Sequence, residues 1–381
     1  MFKMYNKQKL VKGLTSNRDL LLNLAVNSTK TPKKYHEQDL KYAVRFIMDL
    51  PMLLERFKSD LSKKCIVVKP KGKILIVLSS NEPLIMSVIP VLTAFATGNK
   101  ILLKSASRNI EFNNTLVKVY KESGITDLEL IDFPKDGLEN FLDKEEPSAC
   151  IWFGSSRVIK MVAPIFASRM IEFIPECEGN DMVYVSEQYD DMTKVANVIM
   201  HSLIRHEGQC CNSIKGILVH KNAYKRLVDS INKVSESFIG GEILDGSVDF
   251  SFSLNKDVFK PLENIEGQPG IQEVTGDVTQ YLNINPFTVK QWLHAVKSIE
   301  DALKIVEKNP FGIGFTIFSD SQKEIEKVVD TVHTARININ KDSLEVKYTE
   351  PWGGTGLSGF GGSKSWFEKF TNNTFLSSHN D

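Results

Sequence analysis

Glu207-Gly208-Gln209-Cys210-Cys211 places two adjacent thiols on a polar turn, between an expected helix ending near His206 and an expected strand over Lys215–Val219. A cysteine held on a loop at a strand entrance suits nucleophilic chemistry, because the reacting species is the thiolate and it needs partial exposure and polar neighbours. Read alone, the segment better suits two buried structural cysteines, which pack as small hydrophobes. With Cys65, Cys150 and Cys177 the cysteines number five, an odd set without framework spacing, which points to free thiols in a reducing, cytoplasmic setting. No C-x-x-C or H-E-x-x-H pattern occurs and the seven histidines lack ligand spacing, so no metal site is expected; His206 reads as a helix-end residue.

These side chains need a scaffold, and the apolar pattern supplies one. The first sixty or so residues read as helical and polar, with helical apolar spacing over Gln38 to Phe57. Strands and helices then alternate: strand Lys73–Leu78, helix Pro83–Thr97, strand Lys100–Lys104, helix Asn113–Glu122, strand Leu128–Phe133, short helix Leu138–Leu142 and strand Ala149–Phe153. A second set begins near Lys215. Repeated units of this kind imply right-handed crossovers and an α/β fold of open parallel sheets with helices on both faces. Ligands on such sheets sit beyond the carboxyl ends of the strands, which here carry SSNEP at 79–83, KSAS at 104–107 and GSSR at 154–157. Trp352 to Gly362, with six glycines, reads as a late irregular loop.

The 381 residues favour two packed domains, since single cores rarely grow beyond roughly 250 to 300 residues. Lys+Arg and Asp+Glu both number 47, so no global attraction to nucleic acid or an acidic membrane is implied. The longest apolar stretch, Pro83 to Ala96, is too short to span a bilayer, and the first residues show no secretory signal pattern.

Taken together, the motifs resemble the aldehyde dehydrogenase superfamily. Gly208, Gln209 and Cys211 match its G-Q-x-C nucleophile element, and Glu176-Cys177-Glu178-Gly179, with Glu176 standing 35 residues before Cys211, is similar to its E-L-G-G element. Asn81 matches the N-F-P element, Thr97-Gly98-Asn99 with Lys104 the T-G-N and lysine pair, and Phe153-Gly154-Ser155-Ser156 the F-T-G-S-T turn. Near the end, Asn309 to Gly312 and Pro351 to Gly361 resemble N-x-x-x-G and P-F-G-G-x-K-x-S-G-x-G. The resemblance runs in order from about Val68 to Thr371, leaving the first sixty residues outside it as a shortened N-terminal region.

The resemblance implies a two-domain fold with a Rossmann-like cofactor domain over 1–175, a catalytic domain over 176–350, and a return to the cofactor domain with an oligomerisation strand over 351–381. It further implies that Cys211 forms the covalent acyl-enzyme, that Asn81 and the Cys211 backbone N–H hold the oxyanion, and that Glu176 is the general base. The cofactor is NAD or NADP. Lys104 would bond the adenine ribose, and Gly154 and Ser155 would lie against the pyrophosphate. Ser107 followed by Arg108 replaces an acidic clamp, which allows NADP. Two departures stand out: Glu178 replaces a glycine, and Leu282, opening Leu282-Asn283-Ile284-Asn285-Pro286, replaces the glutamate that grips the nicotinamide ribose. The expected partner is a small aldehyde or an acyl thioester, and a homo-oligomer is implied, with Cys65–Val68 and Thr374–Ser377 as candidate edge strands. An acyl-thioester reductase and a non-catalytic scaffold of the same fold stay open as alternatives.

Overall fold

The amphipathic start of the chain forms helices α1 (Lys7–Ser16), α2 (Arg18–Thr29) and α3 (Lys33–Ser62), the last longer at both ends than its apolar spacing alone suggests. Asn6 caps α1 by accepting from the Lys9 N–H at 2.8 Å, and Lys30 ends α2 in the left-handed region at φ 61°. Ala43, Phe46, Ile47, Leu50 and Leu54 recur at helical spacing and form the buried stripe of α3. The computed structural model describes residues 3–134, 136–251, 270–282 and 290–377.

Strand β1 (Ile66–Pro70) follows, then β2 (Lys73–Val77), α4 (Pro83–Ala96), β3 (Lys100–Lys104), α5 (Ile110–Glu122), β4 (Leu128–Ile131), α6 (Leu138–Glu145), β5 (Ala149–Phe153), α7 (Ser156–Ser168) and β6 (Glu172–Glu176). The order β4-β3-β2-β5-β6 gives a sheet in which every neighbouring pair is parallel. Alternate residues of β2 point to opposite faces, as the pleat requires: Ile74 and Ile76 join the core under α3, α4 and α5, while Leu75 and Val77 join Leu142, Ile159 and Phe166 on the other side. Burial on both faces explains the uninterrupted apolar runs.

A second parallel sheet holds β7 (Asp181–Val185) and β8 (Ile214–His220), with α8 (Met192–Ile204) between them. Among the described residues its order is Gly270–Glu273, Lys290–Val296, β8, β7, Gly314–Phe318, Arg336–Ile339. It too is buried on both faces, with Val183 and Val185 against α8 and with Met182 and Tyr184 against the helices Ile299–Val306 and Gln322–Thr331.

The chain then returns to the first sheet. Helix Trp366–Phe370 starts with a capping box formed by Ser365 and Glu368, and buries Trp366 and Phe370 in the core over β2 and α4. Strand Thr371–Phe375 pairs antiparallel with β1, Ile66 opposite Phe375 and Pro70 opposite Thr371. The two segments expected as edge strands thus lie largely in one two-stranded ribbon within this chain. Among the described residues no helix is long and apolar enough to cross a membrane.

Candidate active site

The nucleophile segment hangs from α8 by a strained turn. His206 (φ 46°), Glu207 (φ 53°) and Gly208 (φ 68°) all occupy the left-handed region, a conformation that non-glycine residues keep only where their surroundings dictate it. The surroundings do. Asp39 on α3 accepts from Arg205 at 2.7 Å and pairs with His206 Nε2 at 2.8 Å; Glu207 accepts from the Ser251 N–H at 2.7 Å. From below, the buried Lys215 ammonium donates to the Gly208 carbonyl. Burial pushes the Asp39 carboxyl up, but His206 and Arg205 more than offset this and hold it below its ordinary value.

His206 stands at the end of α8, as its sequence position suggested, and is also a fully buried anchor. His36, Asp39 and His206 also bring possible ligand atoms within 4.8 Å of one another. Both Asp39 oxygens are committed to Arg205 and His206, and His36 Nε2 shares the hydroxyls of Thr29 and Thr31 at 3.0 and 2.9 Å. With the Arg205 cation already on Asp39, the cluster reads as a hydrogen-bonded tie between α3 and the nucleophile turn.

Cys211 is half-buried and Cys210 fully buried. Burial raises both thiols well above their ordinary value, and the neighbouring Glu82 carboxylate raises them further. Gly179 passes so close that a Cβ there would stand 2.4 Å from the Cys211 carbonyl oxygen, which explains a glycine at the end of Glu176-Cys177-Glu178-Gly179. Two cavities of about 470 Å³ each meet at Cys211. The first is bounded by Asn81, Arg108, Gly154, Ser155 and Glu176; the second runs between α3, α4 and residues 344–352, past Tyr42, Ile89 and Tyr348.

Of the residues selected from sequence, Cys211, Glu176, Asn81, Gly154 and Ser155 all line the first cavity. Asn81 Nδ2 donates to the Gln209 carbonyl at 3.0 Å, tying the loop after β2 to the nucleophile segment and leaving its second N–H. Ser155 caps α7. Lys104 and Ser107 do not line this cavity: Lys104 is ion-paired with Asp132 and lies 4.7 Å from the centre of the Phe133 ring, while Ser107 is exposed beside it. Arg108 does open onto the cavity. Glu176, at the end of β6, is ion-paired with Lys369, the two side chains only 7% and 1% exposed. Glu178 sets its carboxylate on the first turn of α7, accepting from the Ser156 N–H and hydroxyl, both at 2.7 Å.

The sequence matches the aldehyde dehydrogenase family over residues 7–268 and 292–376. The chain belongs to the aldehyde dehydrogenase family. Its match starts well before Val68, so the N-terminal helices are part of the family region rather than outside it. Aldehyde dehydrogenase family 3 member I1, chloroplastic, of Arabidopsis thaliana is 26% identical over 81% of this chain and 60% of its own length. Fatty aldehyde dehydrogenase HFD1 of Saccharomyces cerevisiae is 24% identical over 78% of this chain and 62% of its own. The chain thus spans about 60% of the length of these curated relatives. Among solved structures, the NAD-dependent aldehyde dehydrogenase from Sinorhizobium meliloti superimposes with a TM-score of 0.83 at 15% identity, over 97% of this chain and 80% of that one, which shows the shared fold.

Against the aldehyde dehydrogenase pattern, two positions differ. Leu282 is buried among Met182, Tyr184 and Trp292, so a core side chain fills the glutamate's place; Asn283 to Pro286 lie outside the described residues. Glu178 puts a carboxylate where the pattern has a glycine. Lys369 holds Glu176 from a position 193 residues away, with no local signal in the sequence. Glu82 was legible as the residue between Asn81 and Pro83, but its left-handed backbone and its half-buried place on the walls of both cavities were not.

Proposed function

We propose that this aldehyde dehydrogenase family chain is an NAD(P)-dependent oxidoreductase that binds an aldehyde covalently on Cys211. The observation that carries the reading is the position of Cys211 where two cavities meet, so that substrate and cofactor can approach one sulfur from different sides. A dinucleotide fits the first cavity on two grounds. Arg108 opens onto it with no acidic partner among the described residues, and the start of α7 already holds an anion, the Glu178 carboxylate, where a phosphate would be favoured. Arg108, Gly154 and Ser155 are the residues that would hold it, with Lys104 and Ser107 toward the ribose once Lys104 leaves Asp132. When bound, the cofactor accepts or donates the hydride.

The chain's own residues supply the rest. The Cys211 sulfur attacks the carbonyl carbon, and the negative charge that grows on oxygen is met by the second Asn81 N–H and the Cys211 backbone N–H. Lys215, whose pKa burial lowers to about 8, adds positive charge beneath the turn. Loss of one oxyanion donor costs about 3 to 4 kcal/mol of barrier, so Asn81→Ala is expected to slow turnover by roughly two to three orders of magnitude. Glu176 is the candidate activator of water for hydrolysis. Its ion pair with Lys369 favours a second reading, in which a thiol rather than water resolves the acyl-enzyme and the chain runs as an acyl-thioester reductase.

Free thiols support a cytoplasmic setting, and the two-stranded ribbon of β1 and Thr371–Phe375, whose outer edges are unpaired within the described chain, supports a homo-oligomer. Intact-protein mass spectrometry after exposure to a panel of aldehydes and acyl thioesters tests the reading, together with titration of NADPH and NADH by fluorescence. An adduct on Cys211 and a dissociation constant for NADPH no weaker than for NADH are expected. Binding of neither nucleotide would leave the non-catalytic scaffold.

A further inference from the structure

Glu82 lies on the ridge between the two cavities and lines both, as does Cys211. It takes a left-handed conformation, φ 47° and ψ 52°, as the residue immediately preceding α4, where any small polar residue could cap the helix without strain. Its side chain is half-buried on the walls of these cavities. Asp39 from α3, Arg205 and His206 from the turn after α8, and both thiols lie close enough for their charges to act on it. The other carboxylate beside Cys211 is already engaged, since Glu176 is locked to Lys369.

We propose that Glu82 is the base that takes the proton from the Cys211 thiol. The S–H bond breaks, the proton passes to a Glu82 carboxylate oxygen, and the sulfur lone pair forms the new bond to the carbonyl carbon while the carbonyl π pair moves onto oxygen. The neutral carboxylic acid so formed donates back to the sulfur region in place of a charge that would repel it. Burial, which raises Glu82, brings its affinity for a proton closer to that of a thiol. The inference rests on the reading of Cys211 as nucleophile, and it assigns the step to a side chain that the family's N-F-P pattern does not supply.

The test uses the full chain without cofactor or aldehyde. Alkylation of Cys211 by iodoacetamide, followed by peptide mapping from about pH 6 to about pH 9, is compared in wild type, Glu82→Gln and Glu82→Asp. A base and a bystander charge predict opposite results. If Glu82 accepts the proton, Glu82→Gln slows alkylation near neutrality by roughly tenfold or more, and Glu82→Asp falls between the two. If Glu82 only repels the thiolate, its removal lowers the Cys211 pKa and alkylation becomes faster. An unchanged or faster rate in Glu82→Gln overturns the proposal. Should thermal melts show that Glu82→Gln does not fold, Glu82→Asp decides alone, and a rate equal to or above wild type overturns it. Because no nucleotide is present, a failure here is distinct from a failure to bind NADPH, which would overturn the oxidoreductase reading instead.

Discussion

Around Cys211 the residues that matter divide by how far apart in sequence their partners lie. Cys211→Ala is expected to abolish both turnover and the mass adduct while nucleotide fluorescence titrations stay as in wild type; a retained adduct would move the nucleophile to Cys210. Glu176 is where dehydrogenase and reductase part. If Lys369 restrains it, Lys369→Met should raise the rate of acid formation, Glu176→Gln should lower that rate by roughly 10² to 10⁴, and thiol-dependent turnover should change little in either variant. An increase in neither variant's burst of reduced cofactor, with acyl-thioester reduction intact, would favour the reductase. The candidate residues visible in sequence were those inside short motifs: Cys211, Glu176, Asn81, Gly154 and Ser155 converge on one cavity. Lys369 and Asp39 were not visible, because they reach Glu176 and His206 across 193 and 167 residues, and only the tertiary fold closes such distances.

Elements explain why some of that reading was easy. Strands buried on both faces leave long apolar runs that announce themselves, so β2, β3 and β5 were legible nearly to the residue, whereas helix ends set by caps and tertiary packing drifted by several residues, as at α3 and α5. The start of α7 is the element with a direct functional handle. With the Ser156 N–H and hydroxyl held by Glu178, a cofactor phosphate must compete with a tethered anion. Glu178→Gln should therefore tighten NADPH binding, several-fold and more so at low salt, as read by fluorescence titration; weaker binding would show that the carboxylate assists rather than competes. The tie between α3 and the nucleophile turn is mainly structural. Asp39→Ala leaves the buried His206 and the half-buried Arg205 without their shared partner and should cost about 3 to 5 kcal/mol of unfolding free energy in a denaturant titration; a loss below about 1 kcal/mol would mean the turn is held mostly by Glu207 and Lys215.

For the molecule as a whole, the buried Asp181 at the head of β7 makes stability depend on pH. Burial raises its carboxyl to about 8 from an ordinary 3.8, although the Gly314 N–H donates to one oxygen at 3.0 Å. In the folded chain it keeps its proton up to about pH 8, in the unfolded chain only up to about 4, so folding takes up a proton in between and stability falls as pH rises through that window. Asp181→Asn removes the titration, and its melting temperature relative to wild type should climb by a few degrees between pH 5 and pH 8; a constant offset would place the carboxyl's pKa back near its ordinary value. The ribbon joining β1 to Thr371–Phe375 reaches further than geometry. A ribosome delivers the first sheet long before Trp366 and Phe370, which complete that sheet's core, so the earlier lobe must wait with an apolar recess open until those two residues have been made. Premature termination anywhere in the second lobe would yield a chain that carries its own mark of incompleteness, a greasy hollow that chaperones and proteases can recognise, and the fold thereby audits its own translation.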